Sequence, residues 1–247
     1  MEKQKLKGKV AIVTAASTGI GRAIAVAIAA NGARVGLVAR SIEGLKKTKE
    51  IIQKNGGEAE IFPTDLRDQQ AIVRLVESVQ KKWDHVDIVV NAAGVWHSDK
   101  IVYAGVPLVD TPIEQINEVL DVGITAPFLL TKLLLPSMIE RKQGKILQIS
   151  GTFESGASGW LHYYVSKKAI EDFTIGLAEE LRPHLIQVNA ISPSDTYTQA
   201  YRKFFPKTDE KECNKPEEIA NLAIFLLSED ADNITGAIVT IRSKYAK

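Results

Sequence analysis

Short apolar, β-branched runs recur along the chain, separated by longer stretches of helix-like spacing. The runs are KVAIVT (9–14), VGLVA (35–39), VDIVVN (86–91), GKILQIS (144–150), IQVNAIS (186–192) and GAIVTI (236–241). A short Val/Ile-rich run predicts a strand buried on both faces. Between the runs the apolar residues suit helices; the stretch AIAVAIAA after Gly21 is one, and Gly32 marks its stop. Strands alternating with helices predict parallel βαβ units with right-handed crossovers, hence an α/β fold. No Pro/Gly/Ser-rich linker, low-complexity segment or internal repeat divides the 247 residues, so residues 1–247 are expected to form a single domain.

Composition narrows the function. The 31 Lys and Arg against 30 Asp and Glu leave a formal charge of +1, spread along the chain, so no nucleic-acid-binding surface is expected. Lysine pairs such as Lys46–Lys47 read as solvated helix faces. The single cysteine, Cys213, cannot form an internal disulfide; within KTDEKECNK it reads as a surface thiol. There is no Cys/His cluster, so no metal is expected. The start, MEKQKLKGKVAIV, has too short an apolar run for a signal peptide, and no stretch is expected to span a bilayer. A soluble, cytoplasmic protein with no membrane partner follows as the expectation.

Two local patterns carry chemistry. KVAIVT runs straight into AASTGIGRAIAVAIAANG, giving strand, glycine-containing turn and helix. In that context Gly19 and Gly21 let backbone approach a dinucleotide pyrophosphate, and the helix N-terminus attracts its charge. Without it, two glycines mean only a turn. The second pattern is Tyr163 and Lys167 in YYVSK, four residues apart and so on one helix face. An ammonium beside a phenol lowers the phenol pKa from its reference near ~10. Such a phenol can give a proton to a carbonyl oxygen or take one from an alcohol.

These motifs, in this order, resemble the short-chain dehydrogenase/reductase family over nearly the whole chain. TAASTGIG (14–21) resembles its TGxxxGIG loop, NAAG (91–94) its NNAG-type motif, YYVSK its Tyr-x-x-x-Lys, and NAISPS (189–194) its NxIxPG segment. Residues 215–241 resemble the tail of β-ketoacyl-carrier-protein reductase types. The resemblance implies a single Rossmann-type, doubly wound parallel sheet of about seven strands with helices on both faces. It implies Tyr163 as acid/base, with Lys167 tuning it and bonding the nicotinamide ribose. The cofactor-binding residues it points to are Thr14, Ser17, Thr18, Gly19, Ile20 and Gly21; Arg40 and Ser41; Asp65 and Leu66; Asn91, Ala92 and Gly94; Tyr163 and Lys167; and Pro193, Ser194 and Thr196. Arg22 is read either as a phosphate contact or as a solvent-facing residue, and Asp65 either as an adenine contact or as a helix N-cap. At the end of the second strand, VGLVARS offers Arg40 and no acidic residue, which favours a 2′-phosphate and therefore NADP(H).

The chain also departs from the family pattern. Ala15 replaces a glycine, and is strained if its φ is positive. Gly123 stands where an asparagine is usual; Pro127, four residues on, cannot donate to the Gly123 carbonyl, so a kink is expected there. Counting back from Tyr163 places the catalytic serine at Ser150, whereas counting along the fifth strand places it at Gly151. Ser150 is chosen, with Thr152 and then Ser155 as alternatives. Ser194 replaces a glycine, and the usual VDGG-type ending becomes IRSKYAK. The longer segment 95–110 suggests an unusual substrate wall, for which Trp96, His97, Tyr103, Trp160 and His162 are candidates.

The leading expectation is an NADP(H)-dependent reductase or dehydrogenase acting on a small-molecule carbonyl or alcohol, a 3-oxoacyl thioester or small ketone among them. The alternative is an NADP(H)-binding protein of weak or no turnover, acting as a redox sensor or scaffold. Helix-like stretches 113–138 and 160–182 carry more apolar surface than one sheet face covers. In the family the equivalent helices pair across a twofold axis, so a homodimer or homotetramer is expected.

Overall fold

The computed structural model describes residues 4–153 and 157–246. The strands are β1 (Val10–Thr14), β2 (Arg34–Ala39), β3 (Glu58–Pro63), β4 (Ile88–Asn91), β5 (Gly144–Ile149), β6 (Ile186–Pro193) and β7 (Ile238–Ile241). They form one seven-stranded sheet in the order β3-β2-β1-β4-β5-β6-β7, every pair parallel. The order reverses between β1 and β4. The crevice beyond the carboxyl ends of those strands is where open α/β sheets take their ligands. Six strands coincide with the apolar runs. β3, EAEIFP, has no such run: on this edge strand only Ala59 is buried, whereas the other edge, β7, keeps its apolar run.

The helices are α1 (Gly19–Ala30), α2 (Ile42–Lys54), α3 (Gln69–Lys82), α4 (Ile113–Leu120), α5 (Ala126–Arg141), α6 (Leu161–Leu181), α7 (Gln199–Phe204) and α8 (Pro216–Leu227). Alternate strand residues feed two cores. Ala11 and Val13 of β1 pack with Ile24 and Ile28 of α1, Leu45 of α2 and Ile219 of α8. Val10 and Ile12 pack with Ile72 of α3, Leu130 of α5 and Leu177 of α6 on the other face. Each such buried Val, Leu or Ile side chain contributes about 1.5–3 kcal/mol.

α4 and α5 form one helical run broken by a π-helical turn over Asp121–Thr125. Pro127 has no N–H to return to the Gly123 carbonyl, so the regular ladder cannot continue there. The expected irregularity is therefore present without an asparagine. A Cβ on Gly123 would lie 3.0 Å from Ser166 Cβ, so α6 packs too close for a larger residue without local adjustment.

One expectation is sharpened and one is corrected. The helical run Ile113–Arg141 is long and apolar enough to cross a bilayer by length and composition. Here the apolar side of α5 (Leu130, Leu134 and Met138) is buried in the core between sheet and α3. Cys213 is buried rather than a surface thiol, and the Tyr201 side chain of α7 lies against it.

Candidate active site

The turn from β1 into α1 is shaped by close backbone approach. A Cβ on Gly21 would meet the Ala15 carbonyl oxygen at 2.4 Å, and Gly19 has φ +54°. Ala15 takes φ +53°, the strained case for a residue with a Cβ. Thr18 is the N-cap of α1 without a side-chain cap bond, and no acidic residue lies in the first turn, so the helix N-terminus suits an anion. Ser17, Gly19 and Ile20 complete the turn. Arg22 does not join it as an anion ligand: its guanidinium donates to the Ser17 carbonyl and to Thr48 Oγ1, bracing the turn on α2. Thr14 Oγ1 accepts from the amides of Ala92 (2.9 Å) and Ala93 (3.1 Å), tying the end of β1 to the NAAG turn. This cradle, kept open by glycines where a Cβ would close it, fits a dinucleotide phosphate.

Tyr163 and Lys167 share a face of α6, with Lys167 Nζ 5.5 Å from the Tyr163 ring centroid. Lys167 is buried, and its Nζ donates to the Ile149 carbonyl at 2.8 Å. A Cβ on Gly94 would lie 2.9 Å from Lys167 Nζ and 3.9 Å from the Tyr163 ring, so Gly94 leaves this corner open. Burial pulls the Lys167 ammonium down to about 8, with Glu171 opposing. Burial, aided by Asp195, pushes the Tyr163 phenol above its ordinary value. The direction is opposite to the expected lowering, and burial is its larger cause.

The two serine counts differ in what they place beside the lysine. Ser150, buried at the end of β5, donates to Glu171 Oε1 at 2.7 Å, with the Lys167 carbonyl at 3.2 Å. In this arrangement its proton points to α6 rather than into the crevice. Thr152 Oγ1 donates to the Ser192 carbonyl at 2.8 Å. Gly151 stands against the lysine: a Cβ there would lie 3.6 Å from Lys167 Cγ. Ser155 lies outside the described residues.

At the other end of the crevice, Arg40 is exposed beyond β2, and Ser41 Oγ caps α2 by accepting from the Gly44 amide at 3.1 Å. Asp65 is not the cap of α3; Asp68 is. Asp65 instead takes a fork from Arg67, at 3.0 Å to Nε and 2.5 Å to Nη2. This pairing, first, holds its carboxyl below the usual range. Leu66 is buried beside it. Asn91, at the end of β4, donates to Thr131 Oγ1 at 3.3 Å.

The segment after β6 differs in detail from the expectation. Pro193 ends the strand. Ser194 Oγ accepts from Asn214 at 3.0 Å, and the buried Thr196 donates to the Ser194 carbonyl at 3.0 Å, so both are held by this loop's own bonds. Thr198, which motif reading passed over, reaches the glycine turn: its methyl would lie 3.2 Å from a Cβ on Gly19. Its signal was its position as N-cap of α7, where it accepts from the Tyr201 amide. Trp96 and His97 pack against Phe204, and Trp96 also against Phe205, joining the 95–110 segment to α7. Trp160 sits 6.0 Å from Tyr163, ring to ring. Tyr103 and His162 are buried and turned to α4: Tyr103 donates to Glu118 at 2.9 Å, and His162 Nε2 meets Gln115 Nε2 at 2.9 Å.

Comparison with known proteins agrees with this geometry. The short chain dehydrogenase family model matches residues 9–209. The 3-oxoacyl-(acyl-carrier-protein) reductase of Aquifex aeolicus is 34% identical over 250 residues, covering 96% of this chain and 97% of its own. A metagenomic short-chain oxidoreductase solved in complex with NADP superposes with a TM-score of 0.83 at 31% identity, covering 97% of this chain and 99% of that one. A 7α-hydroxysteroid dehydrogenase complexed with NADH and a 7-oxo bile acid superposes at 0.88 with 28% identity, covering 99% and 96%. By sequence match, sheet order and site, the chain belongs to the short-chain dehydrogenase family, oxidoreductases that use nicotinamide cofactors on alcohol or carbonyl groups.

Proposed function

We propose that this protein is an NADP(H)-dependent reductase or dehydrogenase of a small carbonyl or alcohol, with a 3-oxoacyl thioester or small ketone as the first candidates. The observation that carries it is the convergence of Tyr163, Lys167 and Gly94 at one corner of the crevice. The similarity to the Aquifex aeolicus reductase supports the thioester class. Arg40, with no acidic residue beside it in sequence, supports NADP(H) over NAD(H).

When bound, the nicotinamide gives or takes the hydride. The chain's own residues do the rest. The β1–α1 turn and the α1 N-terminus hold phosphate, with Thr14, Asn91 and Ala92 shaping the floor. Lys167, fixed on the Ile149 carbonyl, is placed to bond a ribose hydroxyl and to favour the phenolate of Tyr163. Tyr163 passes its proton to the substrate oxygen in reduction and receives it in oxidation. The whole is proposed to work as one cytoplasmic domain over residues 1–247, paired with copies of itself through α4, α5 and α6.

A second reading has its own support. Ser150 and Thr152 both commit their protons elsewhere, and Gly151 brings no hydroxyl. A transition state with no donor from these three positions reacts more slowly, which suits a nucleotide-binding protein of weak turnover. Titration with NADPH and NADH, followed by a screen of ketones, diketones and 3-oxoacyl thioesters for loss of nicotinamide absorbance, separates the two. Turnover supports the enzyme; tight binding with no turnover across the screen supports the sensor or scaffold.

A further inference from the structure

Two cations lie at the end of the crevice beyond β2 and β3, and both are already paired. Arg40, from the end of β2, has its Nη1 3.6 Å from Glu118 Oε1. Arg67, from the loop after β3, has its Nη1 3.3 Å from the same oxygen and forks onto Asp65. Glu118 comes from α4, on the far side of β1, and its side chain is only 19% exposed. Tyr103, buried in the 95–110 segment, donates to its other oxygen at 2.9 Å and fixes it there. One carboxylate, held by a buried phenol, thus bridges two arginines that come from different segments.

We infer that Glu118 is a specificity residue that competes with the 2′-phosphate of NADP(H) for Arg40 and Arg67. This rests on the NADP(H) reading above. A phosphate entering between the two guanidiniums must displace the carboxylate or sit beside it, and like charges at such separation repel. Two arginines with two carboxylates, Glu118 and Asp65, present no net charge, so the pull on a dianionic phosphate is muted. NAD(H) carries a ribose hydroxyl there and meets no such cost. Glu118 therefore narrows the margin by which the site prefers the phosphorylated cofactor. Tyr103 ties that margin to the long segment between β4 and α4.

Glu118→Gln removes the charge and keeps an oxygen for the Tyr103 hydroxyl. Its affinity for NADPH and NADH is read by nicotinamide fluorescence at fixed, low ionic strength, beside the unmodified protein. The expected result is NADPH binding tightened about tenfold with NADH unchanged within about twofold. In a Glu118→Gln background, Arg40→Gln should cancel much of that gain, and cost more NADPH affinity than the same change does alone. NADPH affinity unchanged in Glu118→Gln, or NADH weakened more than NADPH is strengthened, overturns the inference; the latter would make Glu118 a ribose ligand. Failure of the NADP(H) reading shows separately, as an unmodified protein that binds NADH more tightly than NADPH.

Discussion

The Ser150 hydroxyl donates to the Glu171 carboxylate at 2.7 Å, which directs its proton to α6 and not into the crevice. Glu171 also accepts from Ser192 at the end of β6 at 3.2 Å, so it clamps two strand ends to the helix that carries Tyr163 and Lys167. The open position beside Lys167 is Gly151. Gly151→Ser should raise kcat by at least about tenfold, because one preorganised donor to a developing oxyanion is worth that or more. Ser150→Ala should instead cost stability, about 1 kcal/mol for a hydrogen bond, with little change in kcat. Steady-state kinetics and urea denaturation of the two variants check this; a Ser150→Ala enzyme that is stable but inactive would return the catalytic role to Ser150.

Tyr163→Phe should abolish turnover and leave NADPH affinity within a few fold, since only the hydroxyl carries the proton. Lys167→Ala should weaken both. Single-turnover kinetics with fluorescence titration measures the two terms, and near-normal turnover in the Phe variant would remove Tyr163 from the mechanism.

Lys167 also sets a pH dependence of stability. Its folded pKa is about 8 against an ordinary 10.5. Between these values the unfolded chain holds a proton that the folded chain does not, so stability rises with pH across that window. Below about 8 both states hold the proton and the contribution is constant. Urea denaturation at about pH 8 and about pH 10 should show the unmodified protein gaining stability relative to Lys167→Met. Parallel changes in the two proteins would mean that Lys167 keeps its ordinary value.

Ala15 holds φ +53°. Ala15→Gly should therefore stabilise the protein by about 1 kcal/mol, raising Tm by roughly 2–4 °C. Calorimetry decides it; a lower Tm would mean that the chain entropy added by glycine outweighs the relieved strain.

Phe128 of α5, 44% exposed, stacks on Phe173 of α6 with ring centroids 3.7 Å apart. Ile113, Val165 and Ile175 are exposed on the same helical stretches. Light scattering at micromolar concentration should give the mass of two or four chains, and Phe128→Glu should lower it towards one. A monomeric unmodified protein would refute pairing through these helices.

What the sequence determined by itself was local. Five strands were legible because a strand buried on both faces must be continuously apolar, and β7, though an edge, carries the run GAIVTI; β3 was not, because its edge sequence EAEIFP interleaves charge. The pairing of Tyr163 with Lys167 was legible because four residues make a helical turn. The break at Gly123 was legible because Pro127 lacks an N–H. Tertiary packing decided the rest. Whether Ala15 is strained depends on a backbone angle that the β1–α1 turn imposes. Which residue faces the lysine depended on the exit of β5, where two residue counts disagreed by one position. Burial, invisible in YYVSK, raised the phenol that its neighbour's charge was expected to lower. Glu118, Arg67 and Arg40 lie in segments far apart along the chain and meet only because β1 brings the β2 and α4 sides of the crevice together. No local spacing encodes such a contact, since its partners are selected by sheet order and helix packing rather than by the turn of one helix or the pleat of one strand.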